Sequence, residues 1–357
     1  MSEAARMKTL LLPFSWLYGL AVTARNWAYD RGLLRQDSAG VPVLSVGNIT
    51  AGGTGKTPLV EYLVRYLVAS GRHPAVISRG YRRLSQGVVV VSDGRSMRSD
   101  AAAGGDEPVQ MARKLGSVPV VVAERRSAGA QVAVHDLHAD VLVLDDGFQH
   151  RSLKRDLNIL VVDARKALNR EPLLPTGMRR EPLSAIRRAD MIVLSKVEPD
   201  TGPVRWLDSV AEFIPGPPVT SRVVQAGFFR LLDQEEISIT ELLSDPVLAF
   251  SGIADHAGFL HSLQGLGLTI AEDMRFRDHH RYDRGDIIRL RALLADSGAS
   301  LFVTTEKDAV RLEADLPLKE MLLAVAPVYV ARVAVEILTG SDRLHAAVDS
   351  CVTGNAR

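Results

Sequence analysis

The 357-residue chain has a single cysteine, Cys351. One thiol excludes an intramolecular disulfide and a cysteine-built metal cluster, so a reducing, cytosolic compartment is the simplest fit. Aromatic residues make up 5% of the chain, and the formal net charge is only +1. No global basic field invites a polyanion, and no nucleic acid is expected as partner. Long hydrophobic runs are missing too. The most apolar stretch, Leu10 to Ala24, has about 15 residues and is interrupted by Pro13, Ser15 and Gly19, where a spanning helix needs about 20.

What is present is an ordinary folded composition, 46% hydrophobic and 24% charged, in a chain long enough for two domains. Short β-branched runs at 41–47, 74–80, 118–124, 139–146, 157–163 and 189–196 alternate with helical patterns. That spacing predicts an α/β fold with β-α units around a parallel sheet, whose ligands bind beyond the carboxyl ends of the strands. After the Pro/Gly-containing 212–220 the pattern restarts, with strands at 246–254, 301–310 and 327–337 and a helix near 257–265. The expected organisation is an N-terminal segment over 1–40, a larger α/β domain over 41–222 and a smaller α/β domain over 223–357 that closes a cleft.

Residues 45–63, SVGNITAGGTGKTPLVEYL, come close to a phosphate-binding loop without matching either common form. Gly55, Lys56 and Thr57 fit G-x-x-x-x-G-K-[ST], but Thr50 stands where the first glycine belongs, and Ala51 where dimeric ATPases carry a lysine. The loop of Thr50, Ala51, Gly52, Gly53, Thr54, Gly55, Lys56 and Thr57 follows a strand and opens a helix. Its glycines let successive N–H groups wrap around phosphate oxygens at a helix N-terminus. Lys56 would neutralise the β and γ phosphates, and the Thr57 hydroxyl would join a magnesium shell. Replacing the first glycine alters the approach to the cradle more than the cradle itself. The sequence VLVLDDGFQH supplies the second half, a buried strand delivering Asp145 and Asp146 at its carboxyl end as ligands for Mg2+.

Three further segments are less decided by residues alone. GGDEPVQMARK, 104–114, reads as a helix start, and Asp106 is either its N-cap or a functional acid. RFRDHHRYDRGD, 275–286, offers histidines as proton acceptors but is weak evidence for zinc. The N-terminal stretch has the flanks of an export signal, with Arg6 and Lys8 before and Val22-Thr23-Ala24 after, but export conflicts with a site that needs ATP. It is read as a membrane-surface helix. Trp16, Tyr18, Trp27 and Tyr29 suit the interfacial zone, and Arg6, Lys8, Arg25, Arg31 and Arg35 would meet anionic head groups. The alternative is a helix packed on the protein's own core.

Taken together, SVGNITAGGTGKTP, SRGYRR, GGDEP, LDDGFQHRSLKRDLNI, LLPTGMRREP, FRDHHRY and TTEKDAVRL resemble, in order and spacing, the tetraacyldisaccharide 4'-kinase (lipid A 4'-kinase) family. A glycine loop without the leading glycine or lysine is that family's own version. The resemblance implies a P-loop NTPase-type fold and a peripheral, monomeric enzyme on the cytoplasmic face of the bacterial inner membrane. The implied reaction moves the γ-phosphate of ATP, with Mg2+, to the 4'-hydroxyl of tetraacyldisaccharide 1-phosphate, giving lipid IVA. It further implies that Asp106 and His279 form the catalytic pair, and that Glu107 joins Thr57, Asp145 and Asp146 at the metal site. Tyr81, Arg79 and Arg82 should face the nucleotide cleft. Two departures touch acceptor recognition: Asp255-His256 in place of Asn-Pro, and Met178-Arg179 where a leucine commonly precedes the arginine.

The rival reading is a regulatory P-loop ATPase switch of the partitioning or metal-insertion type. Ala51 argues against it, and VLSKVE, 193–198, only loosely resembles a guanine-reading motif. A catalytically dead membrane-binding relative does not account for Lys56, Thr57, Asp106, Asp145, Asp146 and His279 occurring together.

Overall fold

The computed structural model describes residues 3–198 and 204–354, with side chains from residue 10 onward. Helix α1 (Glu3–Asp30) precedes strand β1 (Val43–Gly47), helix α2 (Lys56–Ala69), β2 (Pro74–Ser78), β3 (Val89–Asp93), the short α3 (Ala101–Gly104) and α4 (Asp106–Leu115). Next come β4 (Pro119–Val122), α5 (Arg126–Gln131), β5 (Val141–Asp145), β6 (Leu157–Asp163), β7 (Met191–Ser195), β8 (Val219–Arg230) and β9 (Glu236–Ile237). The remainder is β10 (Val247–Ser251), α6 (His256–Gly265), β11 (Ile270–Arg275), α7 (Arg284–Ser297), β12 (Leu301–Thr305), α8 (Glu306–Glu313), α9 (Leu316–Leu323), β13 (Val328–Thr339) and α10 (Ser341–Val352).

All the described strands belong to one sheet of 13, in the order β11-β10-β12-β13-β8-β7-β6-β1-β5-β2-β4-β3, with β9 on β8. The sheet holds two parallel blocks. Strands β4, β2, β5, β1, β6, β7 and β8 run one way, and β11, β10, β12 and β13 form the second block. They are joined by the long antiparallel ribbon of β8 with β13. Because that one junction reverses direction, the carboxyl ends of the blocks face each other. Leu194 at the end of β7 is level with Thr220. Thr305 at the end of β12 pairs with Ala331, which lies opposite Phe228. The stretch of β8 between Thr220 and Phe228 therefore runs along a cleft into which both sets of strand ends point.

The helices follow from apolar spacing. In α2, Leu59, Val60, Leu63, Val64 and Leu67 are buried at i, i+3, i+4 spacing and pack with Leu44, Val46 and Val143 of the sheet. A second core gathers Phe250, Phe276, Tyr282, Phe302, Ile287 and Leu290 around the other block. Position 222, the expected domain edge, falls inside β8, and α10 returns to the first core through Leu344, Val348 and Cys351. The run expected as a strand over 301–310 is split, ending as β12 at Thr305, whose side chain accepts from Asp308 N and opens α8.

Helix α1 is a single helix through Pro13, and no described helix is long and apolar enough to cross a membrane. Among its described side chains the buried ones are Ser15, Val22 and Asn26, with Tyr18 partly covered. The stripe turned toward the protein is thus mostly polar. Ser15 Oγ lies 2.6 Å from Thr176 Oγ1 and Tyr18 donates to Arg180 O at 2.8 Å. Asn26 donates to the buried Glu181 carboxylate at 2.8 Å. Leu10, Phe14, Trp16, Leu17, Leu20 and Trp27 point outward, Trp16 with 80% of its surface exposed. Arg6 and Lys8, expected at head groups, fall in α1 ahead of the described side chains.

Beneath the cleft, one buried ammonium ties three helices together. Lys114 on α4 lies 2.7 Å from Glu61 on α2 and 3.2 Å from Glu306 at the start of α8. Burial pushes the Glu61 carboxyl up to about 7, against the pull of Lys114. Folding thus raises this pKa, so the stability it contributes is full below the ordinary value of 4.5 and is lost as pH rises toward 7. Glu61→Gln keeps the acceptor without the charge. It should raise Tm by about 2 °C at pH 8 and leave it unchanged at pH 4, in thermal unfolding followed across that range.

Candidate active site

The glycine loop is anchored on both sides. Gly47, where β1 ends, touches Phe148 so closely that an added Cβ would come within 2.6 Å of the Phe148 Cβ. Asn48 donates to Thr54 Oγ1 at 3.0 Å, and the buried Ser195 hydroxyl of β7 donates to Thr54 O at 2.6 Å. The loop's other margin is stitched to 178–180: Ala51 N donates to Met178 O and Arg180 N to Ile49 O, both at 2.7 Å. Thr50 bridges Arg179 in this pairing. A residue bridged there has no need of glycine's freedom, which accounts for the missing first glycine. Gly52 and Gly55 do need it, at φ 107° and 80°. Gly55 caps α2 without any side-chain hydrogen bond, so the first N–H groups of α2 face the cleft unmet by a capping side chain.

At the carboxyl end of β5, the chain turns through Asp146 in the left-handed region at φ 52°. Gly147 follows with no room for a side chain, since a Cβ there would lie 2.6 Å from Ser45 Oγ. This turn sends the two carboxylates different ways. Asp146 meets Lys56 at 3.2 Å and Arg180 at 2.8 Å. Burial raises its carboxyl, but the two cations outweigh that and hold it at about 2. Asp145 is 3% exposed and accepts only from Ser78 Oγ, at 3.0 Å on Oδ2; its Oδ1 has no partner. Burial first, then Glu107 and Asp146, push it up to about 6.

The N-terminus of α4 brings two more acids. Gly105 occupies the N-cap, so Asp106 is not the cap but the first helical residue, followed by Glu107. Both face α8. Glu107 pairs with Lys307, whose charge depresses the Glu107 carboxyl, helped by Lys56. Asp106 Oδ2 accepts from Arg311 Nε at 2.8 Å and lies 3.7 Å from His279 Nδ1. Burial alone would raise Asp106; His279 and Arg311 keep it below its usual value. His279 sits at φ 60°, its N–H donating to Gly252 O at 3.1 Å and its ring against the edge of Tyr81. Of the six described non-glycine residues with positive φ, Arg82, Asp146, Lys196 and His279 border this cleft, a clustering of backbone strain that functional sites share.

The residues expected at the site, from Thr50 to Thr57 with Asp106, Glu107, Asp145, Asp146 and His279, thus lie along one cleft. Arg82 stacks over Tyr81 at its edge. Arg126 is 1% exposed, with Nε and one Nη unpartnered, a desolvated cation close enough to Asp145 and Asp146 to feel their charge. The His-His pair gathers no zinc site: His280 turns away to Asp286 at 2.7 Å, and no group of three metal-ligating side chains stands preassembled among the described residues. Of the departures, Asp255 caps α6 and pairs with Arg165 at 2.9 Å and Lys196 at 3.2 Å, while His256 bridges Ser251 and Asp273. The site residues missed by sequence reasoning are Arg180, Lys307 and Arg311. Their only signal was membership of the segments LPTGMRREP and TTEKDAVRL.

A hard divalent cation fits this donor set. Asp145 has an unpartnered buried oxygen and a raised pKa, beside acids that already carry cations. Among protein ligands such ions take carboxylate and hydroxyl oxygen.

A parallel sheet with a glycine loop at one strand end, carboxylates at the next and a second acid pair at the N-terminus of α4 defines a P-loop phosphotransferase. The family model for LpxK, tetraacyldisaccharide-1-P 4'-kinase, matches residues 7–353, and the chain belongs to this family. A tetraacyldisaccharide 4'-kinase of Chlorobaculum parvum is 41% identical over 342 residues, covering 94% of this chain and 92% of its own. One from Anaeromyxobacter sp. (strain K) is 42% identical over 338 residues, covering 93% and 87%. The crystal structure of "apo" form LpxK from Aquifex aeolicus in complex with ATP superposes with a TM-score of 0.78 at 33% identity, over 97% of this chain and 99% of that one.

The raised Asp145 carboxyl carries its own test. Its folded pKa of about 6 exceeds the ordinary value of 3.8, so the stability it contributes is full below 3.8 and is lost as pH rises through 6. Asp145→Asn retains the acceptor for Ser78. Without nucleotide or divalent cation, it should unfold at higher temperature than wild type at pH 8 and at the same temperature at pH 4, by scanning calorimetry.

Proposed function

We infer that the protein transfers the γ-phosphate of ATP to the 4'-hydroxyl of tetraacyldisaccharide 1-phosphate. The observation that carries this reading is the convergence of two helix N-termini. One bears Lys56 under an uncapped glycine loop, and the other bears Asp106 with a free carboxylate oxygen. Phosphoryl transfer needs a cradle for the nucleotide phosphates and an acceptor for the alcohol's proton, placed in line. The α2 N-terminus and Lys56 hold the β and γ phosphates. Thr57, Glu107, Asp145 and Asp146 are the residues that would hold Mg2+, which when bound neutralises charge on the phosphates. As phosphates arrive, Lys56 exchanges Asp146 for phosphate oxygen. Asp106, paired with His279, accepts the 4'-hydroxyl proton as that oxygen bonds to the γ-phosphorus and the bond to ADP breaks. The block carrying α8 and His279 forms the wall that closes over the nucleotide.

The acceptor is a lipid, and α1 supports a lipid surface as partner. Its outward Leu, Phe and Trp side chains form an apolar face that water disfavours, while its polar stripe is consumed against the protein. Leu12, Trp16, Pro172 and Leu173 line a groove of about 340 Å³ beside it, suited to an acyl chain. On this reading the protein is a monomer bound peripherally at the cytoplasmic face of the inner membrane.

Two measurements test the reading. With labelled ATP and tetraacyldisaccharide 1-phosphate in mixed micelles, the wild type should label the lipid. Lys56→Ala should lose most activity together with nucleotide affinity, and Asp106→Ala should lose about 100-fold or more in kcat with ATP affinity kept. ATP hydrolysis with no label in lipid would defeat the proposal. For the membrane, the combined Trp16→Ser, Leu17→Ser, Leu20→Ser variant should stay folded yet fail to float with anionic vesicles. Unchanged flotation would remove α1 as the anchor.

A further inference from the structure

The segment TTEKDAVRL has no role in the reaction as derived so far, yet it makes the nearest contacts to its acids. Lys307 and Arg311 stand four residues apart on α8, on the face turned to the N-terminus of α4. Lys307 takes Glu107 and Arg311 takes Asp106. The two pairs differ in how they are built. The Lys307 side chain is 30% exposed, whereas that of Arg311 is 5% exposed and its guanidinium is held on every side. Nη1 donates to Gly252 O at 2.8 Å and to Asp308 Oδ1 at 2.9 Å. Asp308, fully buried, is in turn fixed by Tyr282 Oη, Gly252 N and Thr305 Oγ1. A tie between two helices requires none of this, as Arg113 and Glu313 on the same helices pair at the surface.

The remaining donors of this fixed fork meet the two residues assigned to proton transfer. Nε donates to Asp106 Oδ2 at 2.8 Å, and Nη2 contacts His279 Nδ1 at 3.3 Å. A guanidinium has five donors and no acceptor. Its contact with Nδ1 therefore selects the imidazole tautomer whose proton is on Nε2, and Nδ1 has no proton to give Asp106. That explains why His279 and Asp106 stand 3.7 Å apart with the guanidinium touching both. The Nε hydrogen bond occupies Oδ2 and leaves Oδ1 of Asp106 for the substrate's proton.

We propose that Arg311 is the positioning residue of the Asp106 and His279 pair, fixing which carboxylate oxygen is free and which imidazole nitrogen carries the proton. It rests on the reading of Asp106 as proton acceptor. Arg311 touches neither nucleotide loop nor phosphate-binding lysine, so its loss should lower kcat and spare ATP binding.

The experiment is steady-state lipid phosphorylation at saturating substrates with R311Q, R311K, R113A, D106N and the double variant D106N/R311Q, each first checked for ADP binding and thermal unfolding. R311Q should lose tenfold or more in kcat with KM for ATP within twofold, partly recovered by added guanidinium. R311K keeps the charge but lacks the fork, and should fall similarly with its unfolding temperature kept. R113A, which breaks the surface pair between the same helices, should stay within twofold of wild type. In the D106N background, R311Q should cost little more, because the group it positions is already gone. An R311Q that loses no more than R113A, or a loss that repeats in full in the D106N background, overturns the inference while leaving the kinase reading intact. A D106N enzyme with wild-type kcat overturns the reading of Asp106 and the inference with it.

Discussion

Four carboxylates converge at one site, Asp145 buried and the other three partly covered, and their mutual repulsion is the constraint on which the site depends. Bringing Asp106, Glu107, Asp145 and Asp146 together without compensation would drive protons onto them, as it begins to do at Asp145. The fold answers with cations drawn from distant parts of the chain: Lys56 and Arg180 for Asp146, Lys307 for Glu107, Arg311 for Asp106. Three of the four acids are thereby held ionised. The fourth remains short of positive charge, which is what makes it a fit for a divalent ion rather than another side chain. Breaking one of these pairs leaves a partly desolvated charge behind, which favours exchange for ligand in step with ligand arrival.

The sheet is what makes this convergence possible. A parallel sheet offers one functional edge, and two separate sheets would need a flexible joint to bring two edges together. Here the antiparallel ribbon of β8 and β13 turns the second block's edge to face the first while every strand remains hydrogen-bonded to its neighbours. The acids sit on the first block, and two of the cations that match them, Lys307 and Arg311, sit on the second, along α8. Below them, Lys114 links α2, α4 and α8 through buried carboxylates, so the three helices that supply the site's side chains share one support.

The strands ending at Gly47, Ser78, Asp145 and Ser195 and the start of α2 at Lys56 were legible because strand period and glycine chemistry are local. The pair Asp145-Asp146 was legible for the same reason. Asp106 was ambiguous by spacing, since a cap and a functional acid look alike until Gly105 is seen to take the cap. Arg311 was beyond reach: it lies 205 residues from Asp106 in sequence, and nothing local in TTEKDAVRL announces the partner. The ribbon was hidden too. Pro215, Gly216, Pro217 and Pro218 read as a linker, yet β8 begins at Val219, and the chain continues the same sheet instead of starting another. On α1, apolar content suggested a surface helix or a core helix, and only the packing reveals that its polar residues are the ones turned inward.

That inverted helix fixes a height. Ser15 and Tyr18 grip 173–180, and the backbone of 178–180 is hydrogen-bonded directly to Ile49 and Ala51 of the phosphate loop. Between the outward face of α1 and the nucleotide cradle there are only a helix diameter, about 10 Å, and one strand-like segment hydrogen-bonded to both. A helix resting in a bilayer surface would therefore hold the phosphate loop at one set elevation above the head groups. The sugar hydroxyl of an embedded glycolipid stands at a set elevation too, dictated by its acyl chains. The meeting of the two becomes a search across the membrane plane, in two dimensions rather than three.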